Sequence, residues 1–246
     1  MRPVLAMAKA AWLYNIRQPA TLLFGFVMPI GIIVVFYLIG NGLFGAANIS
    51  SQIVPGVLTY SVVNASLSSS GMTLVAWRSS GLLARLRLQP ISAWEVAVAR
   101  FIVSVIITLL QAIVFVGLGM IFLDLRVNWM FALLVAPTII LGGLVFFFFG
   151  GCAGMLANSQ ESVSSGLSLI LLPLGLLSGC FIPLSALPGS LARIMELTPL
   201  TAMTQLLVGS AAGGADRLGV APWAVLIVSC IVAALLFIFM YRRKAS

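Results

Sequence analysis

Apolar residues gather in six long runs, at 20–40, 53–76, 96–122, 130–156, 163–182 and 221–241, and polar residues fall between them. Each run meets or nears the roughly twenty apolar residues a helix needs to cross a hydrocarbon core about 30 Å thick. Backbone groups in lipid must pair internally, so a span is either a helix or part of a closed barrel. The runs lack the every-second-residue alternation of barrel strands. The pattern therefore predicts an all-α integral membrane protein with six transmembrane helices, in a single domain over 1–246.

Between the runs, three segments carry structure of their own. In residues 3–18, Leu5, Ala8, Trp12 and Ile16 recur at helical spacing, flanked by Arg2, Lys9 and Arg17. This reads either as an interfacial helix on the inner membrane surface or as an ordinary basic flank. Pro19 restricts the residue before it and breaks the chain ahead of the first span. Gly45-Ala46-Ala47 could mimic a signal-peptidase site, but the run before it is longer than a usual signal core. An uncleaved first span is expected.

The segment 81–90 places Leu82, Leu83 and Leu86 on one helical face and Arg85 and Gln89 on another, and Pro90 ends it. Ser92 and Glu95 then form a capping box, with Ile91 and Val96 placed as the hydrophobic staple, so the third span starts at a defined point. A short amphipathic helix here suits docking on a soluble partner; a basic topology determinant is the other reading. After the fifth run, the apolar segment with Pro183, Pro188 and Pro199 predicts two short external helices, near 188–196 and 200–209. Pro199 suits the first position of the second.

Composition sharpens the picture. Of 246 residues, 62% are hydrophobic and 7% charged, against about 25% charged in soluble domains. The net charge is +8, yet the basic residues separate apolar blocks instead of forming one patch, which argues against nucleic acid. With six spans, Arg2, Lys9, Arg17, Arg78, Arg85, Arg87, Arg100, Arg242, Arg243 and Lys244 share one side, and only Arg126, Arg193 and Arg217 the other. That asymmetry puts both termini in the cytoplasm. Five or seven spans would separate the basic ends.

The chain holds no His, five carboxylates and three cysteines in apolar stretches. No metal site or catalytic group is expected from such a set. No Asp, Glu, Lys or Arg falls in the middle of a span, which argues against proton-coupled transport. Milder polar residues remain: Asn64, Ser66, Ser68, Ser69 and Ser70 in the second span, Ser104, Thr108 and Gln111 on one face of the third, and Ser162, Ser164, Ser165 and Ser168 in the fifth. They suit a path for an amphipathic substrate or hydrogen bonds between helices. Gly150/Gly154 and Gly175/Gly179 are small-residue pairs for close packing, within one chain or between two. Pro173 is placed to kink the fifth span.

The N-terminal segment leading into Pro19, the run Gly81-Leu82-Leu83-Ala84-Arg85-Leu86-Arg87-Leu88-Gln89-Pro90-Ile91 with Trp94-Glu95, and Leu177-Ser178-Gly179-Cys180-Phe181-Ile182-Pro183 continuing to Thr198-Pro199-Leu200-Thr201 together resemble the membrane (permease) subunits of ABC exporters of the ABC-2 type. That group includes bacterial drug-resistance permeases. Family members often carry an acidic residue just before the glycine of the cytoplasmic segment; this chain has Arg78-Ser79-Ser80-Gly81. The resemblance implies two permease chains, as homodimer or heterodimer, in a bacterial inner membrane with its lipids, and two copies of a separate ATP-binding subunit that binds ATP and Mg. This chain lacks the GxxxxGK[ST] phosphate loop. Gly81, Leu82, Leu83, Arg85, Leu86 and Gln89 would then form the coupling helix. Asn64, Ser68 and Ser168 would line the substrate path. A hydrophobic or amphipathic substrate, such as a drug, natural product or lipid, would leave the cytoplasm. Two rival expectations are a non-catalytic scaffold or assembly factor of the same fold, and a lipid-modifying membrane enzyme.

Overall fold

A computed structural model describes residues 46–79, 93–212 apart from Asp124 and Arg126, and 219–245, together with scattered positions between 12 and 38. The described residues are helical and contain no strand. In chain order the elements are α1 (Ala46–Ser79), α2 (Ala93–Phe122), α3 (Trp129–Leu156), α4 (Gln160–Leu177), a 3-10 turn (Leu184–Ala186), α5 (Gly189–Glu196), α6 (Pro199–Ala211) and α7 (Val220–Ala245). Within 20–40, residues 26–27, 29–35 and 38 are helical. Trp12 and Leu13 are helical too; the rest of the expected interfacial helix 3–18 lies outside the described residues.

Four of the described helices are long and apolar enough to cross a membrane: Ala97–Phe122, Trp129–Leu156, Gln160–Leu177 and Val220–Arg243. The expected run 53–76 lies in α1, which differs in kind. Its 34 residues extend about 51 Å at 1.5 Å per residue, but serines, threonines and Asn64 dilute its apolarity. Burial compensates: Val54, Val57, Leu58, Val62 and Val63 are enclosed by surrounding helices. α1 and α3 form the central pair. α2, α4 and α6 also pack on α1, and α7 packs on α3 and α6.

Glycine sets the closeness of α1 and α3. A Cβ on Gly150 would stand 2.7 Å from Leu67 Cα, and one on Gly154 2.9 Å from Gly71 Cα. No side chain fits between the two backbones there. The expected Gly150/Gly154 pair thus packs within one chain. Gly175 and Gly179 do not act as a second such pair. Gly175 lies against the Tyr60 ring. Gly179 has φ +86°, a left-handed turn that glycine adopts without a Cβ penalty. That turn ends the fifth apolar run as a helix at Leu177, five residues before the expected limit of 182.

Other helix limits follow from caps. Asn128 caps α3 by accepting from the Phe131 N–H, Ser159 caps α4 through Ser162, and Thr198 caps α6 with Pro199 in its first turn. Each side-chain oxygen satisfies an N–H that the first turn leaves unpaired. The two short helices expected after the fifth run form as α5 and α6. α2 opens at Ala93, one residue after the expected cap Ser92, which lies outside the described residues.

Hydroxyls in the bundle turn mostly to their own helices. Thr59 donates to Pro55 O, Thr108 to Ser104 O and Val105 O, Thr204 to Leu200 O, and Ser210 to Leu207 O. This back-bonding buries a hydroxyl without a partner on the next helix. Ser104, Thr108 and Gln111 are all buried, in keeping with their shared face. They sit inside the bundle, away from the exposed face of α2 that carries Ile102, Ile106, Leu110 and Ile113.

Candidate functional site

Midway along α1, between turns whose other faces are buried, one strip faces outward. Asn64 is exposed and Ser68 half-buried. They lie one turn apart, and Ser68 Oγ donates to Asn64 Oδ1 at 3.4 Å. On α4, Val163, Leu167, Leu171 and Gly175 face inward. Ser164, Ser165 and Ser168 are exposed beside Leu169, Ile170 and Leu172.

Two contacts fix how α4 lies on α1. Tyr60 meets Gly175, and Gly71 meets Val163. The helices therefore run antiparallel, and these contacts bracket Asn64, Ser68 and Ser168 at a common depth. Asn64 and Ser68 touch each other; Ser168 stands on the neighbouring helix. An amide and hydroxyls among exposed leucines and isoleucines give an amphipathic surface. It suits a ligand with scattered polar groups, or the equally mixed face of another helix.

Both ends of α1 are tied to other elements. At its start, Gln52 Nε2 donates to Gly179 O at 2.6 Å. Gly56 packs against the Cys180 backbone, and the Tyr60 and Phe181 rings lie 5.2 Å apart. Cys180 Sγ is 3.2 Å from Ser178 Oγ and 3.1 Å from Thr204 Oγ1. A small polar cluster thus joins α1, the turn after α4, and α6. Nearby in the fold's logic, Asn128 Nδ2 donates to Ser210 O at 2.7 Å, tying the start of α3 to the end of α6.

At the far end of α1, the Arg78 guanidinium reaches the last turn of α3. Its Nη1 donates to Met155 O at 3.0 Å and to Ala157 O at 3.1 Å. Carbonyls at a helix C-terminus lack intrahelical partners and carry the negative end of the dipole, so a cation is favoured there. The ties also fix the alternation of the chain. Gln52 joins the turn after α4, Asn128 joins the end of α6, and Arg78 joins the α3–α4 turn. With Gly119 near the end of α2 against Val54 near the start of α1, and Phe237 near the end of α7 against Gly151 near the end of α3, successive long helices run in opposite directions.

The sequence-predicted coupling residues Gly81, Leu82, Leu83, Arg85, Leu86 and Gln89 lie outside the described residues. Their position in the chain is bounded by the end of α1 at Ser79 and the start of α2 at Ala93. Sequence reasoning missed the ties made by Gln52, Arg78 and Asn128. Asn128 carried a signal, a cap-forming residue just before an apolar run; the other two become visible only when their partners are placed.

With this geometry in hand, comparison with known proteins is specific. A family model described as ABC-2 type transporter matches residues 2–211. The probable multidrug ABC transporter permease YbhR of Escherichia coli (strain K12) is similar, 20% identical over 194 residues, which is 78% of this chain and 52% of that protein. Its counterpart of the same name in Escherichia coli O157:H7 matches to the same extent. The chain spans about half the length of these curated relatives.

Proposed function

Because this chain belongs to the ABC-2 type transporter family, we propose that it is the membrane subunit of an ATP-driven exporter that moves a hydrophobic or amphipathic molecule out of the cytoplasm. The family match carries the reading, since it spans the mixed face of α1 and α4 and the 81–90 segment alike. Six membrane spans, from the 20–40 run, α1, α2, α3, α4 and α7, place both termini and residues 81–90 in the cytoplasm by the distribution of Lys and Arg. The opposite arrangement of successive helices supports that alternation.

In this reading two copies of a separate ATP-binding subunit dock on the coupling helix of each permease pair. Nucleotide binding closes the ATPase pair, and the coupling helices carry the motion to the bundle. The spans then hold two packings that nucleotide biases differently. Asn64, Ser68 and Ser168 line the substrate path between permease chains. The multidrug transport named for the relatives fits a path of scattered hydroxyls, which recognises polarity more than shape.

The path assignment is tested on the permease–ATPase complex in liposomes, with a fluorescent amphipathic dye stimulating ATP hydrolysis. Asn64→Leu and Ser168→Leu each remove one hydrogen-bonding group of about 1 kcal/mol, so half-saturation should rise about fivefold with little change in maximal rate. Unchanged half-saturation in both variants would remove these residues from the path.

A further inference from the structure

We infer that Arg78 is a positioning residue that ties the cytoplasmic exit of α1 to the end of α3, so that a displacement of the segment beginning at Gly81 moves both helices as one body. The inference rests on the exporter reading above and adds a residue to it.

Three observations carry it. Arg78 sits in the last turn of α1, and both of its hydrogen bonds end on carbonyls in or just past the last turn of α3. Two turns below, Gly71 meets Gly150 and Gly154 with no room for a side chain. The helices thus share a backbone contact and a charge-assisted tie a short distance apart, and two such points fix a relative angle where one would leave a pivot. Finally, Gly81 follows Arg78 by three residues. A force on that segment reaches α1 through the turn Arg78 holds.

The tie also reaches α4. Ala157 is the residue that ends α3, and Ser159 caps α4 two residues later. α4 meets α1 at Tyr60 and Val163, and Gln52 and Gly56 of α1 hold the turn that follows it. Motion of the α1–α3 body is therefore passed to the turn that starts α4.

A basic residue at this place also serves membrane topology, and the two roles make different predictions. A topology charge acts from any nearby position. The tie needs a donor on the α3 side of α1, and the next position along the helix points about 100° away.

The test uses the full chain with its cognate ATPase in liposomes, reading dye transported per ATP hydrolysed. Arg78→Ala should keep basal ATP hydrolysis and lose transport per ATP by about fivefold or more, the lower range of typical coupling between sites. Arg78→Lys should restore most of it, because an ammonium on a flexible stem still reaches C-terminal carbonyls. Arg78→Ala combined with Ser79→Arg, which restores the charge one residue on, should not. Arg78→Met, which keeps the length of the side chain without a donor, takes the place of the alanine variant if that one does not assemble, with the same expected loss. Wild-type coupling in Arg78→Ala, or full rescue by Ser79→Arg, overturns the positioning role and leaves the exporter reading standing. A wild-type complex that hydrolyses ATP without moving dye overturns both.

Discussion

Gly150→Ala is expected to lower the thermal unfolding midpoint of the detergent-purified protein by about 5 °C, from overpacking of about 1–3 kcal/mol at a few degrees per kcal/mol. The added methyl would stand 2.7 Å from Leu67 Cα. Its neighbours there are backbone, which cannot rotate away as a side chain does. The helices must separate, and separation loosens the largest helix pair in the bundle. Larger residues at Gly150 should prevent recovery of folded protein. Gly166→Ala is the control, because nothing lies within 4 Å of its Cβ. That variant should melt at or slightly above the wild-type temperature, since alanine costs less conformational entropy in a helix. Equal melting of Gly150→Ala and wild type would mean that α1 and α3 do not cross at Leu67 and Gly150.

Leu83→Asp is expected to abolish recovery of the ATP-binding subunit with the permease. If 81–90 docks as an amphipathic helix, Leu83 belongs to its apolar face with Leu82 and Leu86. Replacing an apolar anchor with a charge at a buried contact costs on the order of 3 kcal/mol, which weakens binding about a hundredfold. The substitution removes no Lys or Arg, so membrane orientation is unaffected. Loss of binding would then be a loss of docking. Arg85→Glu, on the polar face, should weaken assembly less and transport more. Undiminished assembly and transport in both variants would move the ATPase contact elsewhere.

The helices were readable in the sequence because lipid imposes one demand on every span, and apolar length answers it. α3 and α7 illustrate this, each an unbroken apolar stretch bounded by polar or basic residues. α6 was readable for another reason: Pro199 fixes a backbone angle at the first helical position, whatever surrounds it. What the helices touch was less readable. Gly150 and Gly154 announced a close crossing, but a small-residue pair does not say which helix fills its groove. Gly179 had the same spacing from Gly175, yet its left-handed φ belongs to a turn, and spacing carries no backbone angle. Arg78 read as one topology charge among ten. Its tie to Met155 and Ala157 depends on α1 and α3 ending side by side, a tertiary fact. The hydroxyls misled in part, because Thr108 donates to carbonyls of its own helix and needs no neighbour. For the substrate path, polarity and the resemblance point to Asn64, Ser68 and Ser168; that Asn64 and Ser68 lie one turn apart at the depth of Ser168 follows only from the packing of α4 on α1.

The central claim is that this polypeptide is a conduit moved by energy released in a different protein. Its most direct measurement is ATP-dependent dye accumulation in inside-out vesicles, comparing the permease with its intact ATPase, with an ATPase whose phosphate-loop lysine is replaced, and alone. Accumulation with the intact ATPase and none in the other two is the predicted result. Uphill accumulation by the permease alone, or with the disabled ATPase, would contradict it.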